Sequence, residues 1–311
     1  MTSDLVAREL TPQIMGLLCS QTGPSGPAVV LGVLVFALTL GALVVLLFVD
    51  GDWSAWSQAT CLSAPLGCFC EYARPTLVRQ PSNTFSNLAF TIVGIVVLVE
   101  SIQQQIAAAG RREKLSQEQA LGRAFACSYA VSQVVLGAGS AWYHASLTFH
   151  GQWIDNAAMY LTVSAPMLYA RASVRLSAKV AHGKSPQNSA RLYLIEFIAV
   201  NVVLGVLCLV LPVTRRYIFM ILIVGLLAYE MWARRVLPAR ARKARLNPLG
   251  VALATFLVAF VIWTLDIRHI LCKPESLLQG HALWHILNAV ATFQIYMYYH
   301  PIVHPTLPLR V

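Results

Sequence analysis

Residues 280–299 read GHALWHILNAVATFQIYMYY. The stretch is apolar over roughly the ~20 residues a helix needs to cross a bilayer. Yet it opens with His281 and His285, four positions apart and therefore on one helix face. A membrane helix that carries two imidazoles on one face needs something for them to meet.

The rest of the chain is built of the same material. Of its 311 residues 57% are hydrophobic and 12% charged, against the roughly 25% charged typical of a soluble domain. Apolar runs with few or no charges occur at 28–49, 86–99, 124–143, 153–170, 192–212, 217–232, 249–267 and 281–299. Eight spans are expected. The run at 217–232 is the weakest, being short and carrying Glu230, and without it the count is seven. The expected fold is all-α: a polytopic membrane helical bundle, with a seven-helix core and one extra N-terminal transmembrane helix. The expected divisions are a cytosolic segment 1–27, the extra helix 28–49, an extracytoplasmic Cys-containing loop 50–81, a catalytic core 82–299 and a cytosolic tail 300–311. The run at 28–49 reads as a retained anchor, because 27 residues including Asp4 and Glu9 precede it and its length exceeds a typical signal core.

A net charge of +10 would suit a nucleic-acid partner if the cations were clustered on a soluble face. They follow the connections instead. With the N-terminus in the cytosol, seventeen of the 23 Lys and Arg residues fall on the cytosolic side, a strong positive-inside bias. The groups at Arg111, Arg112 and Lys114 and at Arg240, Arg242, Lys243 and Arg245 are topology signals near anionic headgroups. No nucleic-acid or protein partner is expected, and both termini are cytosolic.

The same orientation brings polar residues together. The third span runs outward and ends in GSAWYHASLTFHGQWID (139–155), so Ser140 and His144 lie one turn apart at its outer end. The next span runs inward from Asp155, and the eighth runs inward from His281 and His285. All five sit at the extracytoplasmic end of the bundle. An Asp at a helix centre costs about 2.5–3.5 kcal/mol on insertion scales, so a compensating partner is expected. Zinc suits this set: an i, i+4 His pair plus a third His makes three ligands and leaves the fourth tetrahedral position open, as in catalytic sites.

HPIVHP (300–305) is an internal control with the same His spacing. His300 and His304 are not expected to bind metal, because Pro301 disfavours the helical region at His300 and Pro305 stops a helix. His150 and His182 read as solvated. Asp266 supports the outer surface of the site or pairs with Arg268 or water. Glu196 and Glu230 are expected to snorkel or pair with flanking arginines. Cys61, Cys68, Cys70 and Cys272 lie outside, where they form two bridges in any of three pairings or leave some thiols free; Cys127 and Cys208 lie in spans and Cys19 in the cytosol.

SAWYH (140–144) with Asp155 eleven positions after the His, HALWH (281–285), CEYARPTLVRQPSNTFSNLAF (70–90) and WTLDIRHILC (263–272) together resemble the alkaline ceramidase family. That family is part of a wider superfamily of seven-helix membrane hydrolases that includes the progestin and adiponectin receptors. The resemblance covers about residues 68–299 and leaves the first helix as an addition. It implies zinc on His144, His281 and His285, with Ser140 and Asp155 completing the catalytic group, and a disulfide between Cys70 and Cys272. The family's calcium site transfers poorly. Glu71 matches one acidic ligand, but Cys68, Ala73 and Gln80 stand where Asp, Asn and Glu are expected. Glu71 therefore either binds calcium or orders the outer loop, with Asp52 of DWSAW a candidate replacement ligand.

The implied activity is hydrolysis of the N-acyl bond of a ceramide-like membrane lipid to a sphingoid base and a fatty acid. Asp155 acts as general base and then acid, Ser140 as hydrogen-bond donor to the oxyanion, and an apolar cavity holds the acyl tails. Three rivals are a zinc hydrolase of the same fold acting on another lipid amide or ester, a lipid-sensing receptor with a structural metal, and a transporter using Asp155 and the histidines as a proton relay. An external C-terminus would favour the receptor, and purification without zinc the relay.

Overall fold

The computed structural model describes residues 26–46, 52–63, 68–110, 116–182, 188–237 and 246–303. The expectations for Cys19, for the two basic clusters and for His304 lie outside these residues. Among the described residues eight long helices occur: α1 (Gly26–Leu46), α3 (Leu88–Gly110), α4 (Gln117–Ser146), α5 (Phe149–Ala181), α6 (Ser189–Val210), α7 (Arg215–Val236), α8 (Leu246–Ile267) and α9 (Gly280–Val303). A six-residue helix, α2 (Pro81–Ser86), leads into α3. No strand is present among the described residues; a single bridge joins Gln58 to Thr148. The protein is an all-α, multi-pass membrane bundle.

Five segments are long and apolar enough to cross a membrane: α2 with α3, α4, α6, α7 and α8. Helices α5 and α9 are longer than a crossing requires, at 33 and 24 residues. Their mean hydropathy is lowered by the residues that matter to function, among them Asp155, His281 and His285. The span at 217–232 proves to be a full helix, α7, entered through a 3-10 turn at Pro212–Thr214. Helix ends follow local chemistry. Ser116 and Gln119 form a reciprocal capping box at the start of α4, and the Thr148 hydroxyl accepts the Gly151 N–H at the start of α5, each satisfying donors that the helix itself leaves unpaired.

Helices α4 and α5 pack along one another, α3 packs on α4, and α9 lies against α8, α3 and α4. Glycine permits the α3–α4 approach: a Cβ at Gly94 would sit 2.8 Å from the Ala130 carbonyl oxygen. Such close backbones are how membrane helices gain packing without help from hydrophobic expulsion. The core between them is aromatic, with Phe125 stacked on Tyr169 at 4.5 Å and on Tyr129 at 5.6 Å. On α6, α7 and α8, Ile198, Val202, Ile221, Val224 and Val258 face outward, as lipid-facing residues do.

The end of the bundle away from His144, His281 and His285 corrects two expectations. Pro301 does not end α9, which continues to Val303 with His300 inside it. A proline in a last turn forfeits only one backbone bond, and the His300 ring is held by the Glu100 carboxylate, a residue the sequence reading had passed over. Glu230 does not snorkel: it is buried and accepts from the hydroxyls of Tyr298 and Tyr299. At the opposite end, Arg215 is buried at the start of α7. Glu196 pairs with Arg175, with Arg171 at 3.8 Å.

Candidate metal and catalytic site

The site is made where α4 ends, α5 begins and α9 begins. The turn between α4 and α5 is two residues long, Leu147 and Thr148. Leu147 adopts the left-handed conformation at φ 50°, donates its N–H to the Tyr143 carbonyl, and is fully buried. A non-glycine residue persists there only when its surroundings hold it, and here the packing of Leu147 against Ala59, Cys68 and Tyr143 does so. The tight turn keeps His144 and Asp155 at the same end of the bundle.

The three histidines come together. One nitrogen from each of His144, His281 and His285 lies within 4.8 Å of the others, and all three residues are buried. Among the described residues no other group of His, Cys, Asp or Glu converges in this way. The Nε2 atoms of His144 and His281 are 3.2 Å apart, close to the ~3.3–3.4 Å edge of a tetrahedron with Zn–N bonds of ~2.0–2.1 Å.

The outer nitrogens settle the tautomers. His144 Nδ1 lies 3.0 Å from Gln80 Oε1, an acceptor only, so the ring donates there and keeps its Nε2 lone pair. His285 Nδ1 lies 2.8 Å from Ser86 Oγ, whose own proton goes to the Asn83 carbonyl; His285 therefore also donates from Nδ1. His281 Nδ1 is buried without a hydrogen-bond partner. Two neutral rings with lone pairs facing a third imidazole form a good donor set for a divalent ion, and the residues present fit zinc. The Ser86→Ala variant is expected to weaken zinc binding by roughly 10–100-fold in a chelator competition titration. Unchanged affinity would show that the Ser86 contact does not tune the ring.

Ser140 and Asp155 meet one another rather than the histidines. The Ser140 side chain lies beside the Asp155 carboxylate, and Asp155 stands outside the convergent set. One turn before Asp155, Gln152 accepts from Arg215 Nη1 at 2.7 Å, which places a buried guanidinium at the same end. Its Nε donates to the Cys208 carbonyl.

Asp266 has a definite role that the sequence had left open. One carboxylate oxygen accepts the backbone N–H of His281 at 3.2 Å and the other that of Cys70 at 3.1 Å. It fixes the start of α9 and ties the outer loop to it. Disulfides join Cys61 to Cys68 and Cys70 to Cys272, while Cys127 and Cys208 are free. The Cys70–Cys272 bridge spans 202 residues, and its loss through Cys272→Ser is expected to cost about 2–4 kcal/mol, read as a lowered thermal transition in detergent. An unchanged transition would mean that Asp266 alone secures the loop.

Glu71 orders the loop. Its two carboxylate oxygens accept the backbone N–H groups of Ser82 and Asn83, both at 2.8 Å. Burial raises its pKa, while the hydrogen bonds to Asn83 and Ser82 and the charge of Arg74 pull it down. Asp52 is exposed and turns back onto the N–H and hydroxyl of Ser54, which hold its pKa below the ordinary carboxylate value. Both Glu71 oxygens thus meet backbone donors, and Asp52 closes a local turn. His150 is exposed beside Trp56.

The fold and these three imidazoles define a polytopic helical membrane protein with a buried tri-histidine centre. The family model described as Ceramidase matches residues 68–306, and the chain belongs to the ceramidase family. A curated relative from Dictyostelium discoideum, named "Putative alkaline ceramidase dcd3B", is 25% identical over 225 residues, covering 68% of this chain and 76% of the relative. Membership supports ceramide hydrolysis in general, and it leaves α1 outside the matched region.

Proposed function

We propose that this protein is a zinc-dependent intramembrane amidase that cleaves the N-acyl bond of ceramide-like lipids, giving a sphingoid base and a free fatty acid. The convergence of His144, His281 and His285 from two helices supports this reading most strongly. His144, His281 and His285 would hold the zinc, which would supply Lewis acidity toward the amide carbonyl and make water acidic enough to attack at neutral pH.

Within that reading the chain's own groups manage protons and position. Asp155 takes a proton from the attacking water as the new C–O bond forms, then delivers it to the nitrogen as the C–N bond breaks. Ser140, whose side chain lies beside the Asp155 carboxylate, orients that base, and its hydroxyl can meet the developing oxyanion. Gln80 and Ser86 hold the rings of His144 and His285.

The site faces the extracytoplasmic side, with both termini cytosolic, and residues 82–299 form the catalytic core. Two features support this orientation: the disulfides lie at the site end and form on oxidising sides of membranes, and Lys179, Arg234 and Arg235 sit in the last turns of α5 and α7, at the other end. The direct experiment is incubation of purified protein with N-acyl sphingoid bases, measuring fatty acid and sphingoid base by mass spectrometry. Equimolar release of both supports the proposal. Release from fatty esters but not from the amide would move the activity to a different lipid class.

A further inference from the structure

The segment linking the two disulfides lies directly over the histidines. Phe69 sits between Cys68, bridged to Cys61, and Cys70, bridged to Cys272. Its ring centroid lies 4.0 Å from that of His281 and 4.8 Å from that of His144. The ring also meets Tyr143 edge-on at 6.0 Å. Among the described residues no other Phe, Tyr or Trp ring touches two of the three imidazoles: Tyr143 reaches only His144 and Phe90 only His285.

We propose that Phe69 is a fixed cover over the metal-binding imidazoles, clamped by the disulfides on either side, and that it slows exchange of metal and water between the site and the outer solvent. The proposal rests on the reading that these imidazoles hold zinc.

Three features fix the cover. The Cys70 N–H is bound to the same Asp266 carboxylate that accepts the His281 N–H. The backbone just after Phe69 and the backbone of the residue it covers therefore move as one piece. On the other side, Cys61 and Cys68 pack with Ala59, Leu62, Tyr143 and Leu147 against the end of α4, and Ala59 N–H donates to the Leu147 carbonyl at 2.9 Å. Cross-links on both neighbours leave Phe69 chiefly its own side-chain torsions. An apolar ring held so close also raises the cost of admitting the water or chelator that an imidazole must meet before it can leave a metal, since the shell around a site controls solvent access.

The test is zinc release from the purified full-length protein into an excess of a chromophoric chelator. The wild type should carry one zinc per chain and release it slowly. Phe69→Ala should carry the same amount and release it about 10-fold faster or more, while Phe69→Leu, which keeps an apolar bulk over the rings, should stay close to wild type. The Cys61→Ser/Cys68→Ser double variant should fall between wild type and Phe69→Ala. Phe69→Leu also serves if the alanine variant fails to fold, because Phe69→Asn then gives the open comparison at similar bulk. Equal release from wild type and an open variant, each with one zinc bound, overturns the cover. A serine double variant releasing at the wild-type rate overturns the clamp. A wild type that takes up no zinc overturns the metal reading itself, and is told apart because there is then no release to compare.

Discussion

His285→Ala is expected to purify without stoichiometric zinc and to lower fatty-acid release by on the order of 10³ or more. The size follows from the geometry. Two of the three converging nitrogens belong to α9 and are offered four residues apart, so removing one leaves a single ring from each of two helices. Such a pair has lost a third of its donors and the partner that completes a tetrahedral face. The change also leaves a small cavity, because His285 is buried. The contacts that set the helix start, from Asp266 to the His281 N–H and from Cys70 to Cys272, are untouched. A thermal transition near that of wild type, with zinc and activity both gone, is the expected combination. Full zinc with full activity would remove His285 from the site.

Asp155→Asn separates the proton chemistry from the metal. The amide has nearly the same shape and can still bond Ser140, but it cannot accept a proton from water. The expected loss is roughly 10²–10⁴-fold in turnover, with zinc content unchanged, because Asp155 stands outside the convergent set. Measured side by side, metal content and turnover fall together in His285→Ala and part company in Asp155→Asn. If the asparagine variant lost its zinc, Asp155 would be acting as a ligand and the division of labour drawn from the geometry would be wrong.

The fold was largely legible because lipid imposes a simple code. Each of the eight apolar runs corresponds to a long helix. The code reports where hydrocarbon lies, however, and not where a helix ends. The run 153–170 became Phe149–Ala181, since Arg171, Arg175 and Lys179 extend the helix beyond the apolar stretch. Residues at the end away from the histidine centre were missed or misread for a related reason. Glu100 with His300, and Glu230 with Tyr298 and Tyr299, are satisfied by partners 68 to 200 positions away, and nothing in local periodicity announces such partners.

The candidate site divided in the same way. His144, His281 and His285 could be brought to one end by counting spans, and the structure gathers them there. Gln80 is more instructive. In the sequence it registered only as a departure from an expected calcium ligand, yet its amide oxygen meets His144 Nδ1 and its amide nitrogen donates to the Glu71 carbonyl. Ser86 was equally hidden, as a residue whose role depends on a segment 199 positions distant, while Asp266 was placed at the site in one of two readings, without its partner Cys70, 196 positions away. The groups that would bind metal show in sequence as costly polar residues in apolar helices. The groups that hold them in place are ordinary polar residues near a helix start, and only the folded contacts reveal them.

Zinc K-edge X-ray absorption on the purified protein tests the tri-histidine centre most directly. We expect one zinc per chain with three imidazole nitrogens at ~2.0–2.1 Å and a light-atom fourth ligand, and loss of that signal in His281→Ala. A protein without zinc after reconstitution, or a zinc spectrum carrying sulfur ligands or surviving His281→Ala intact, would contradict the account.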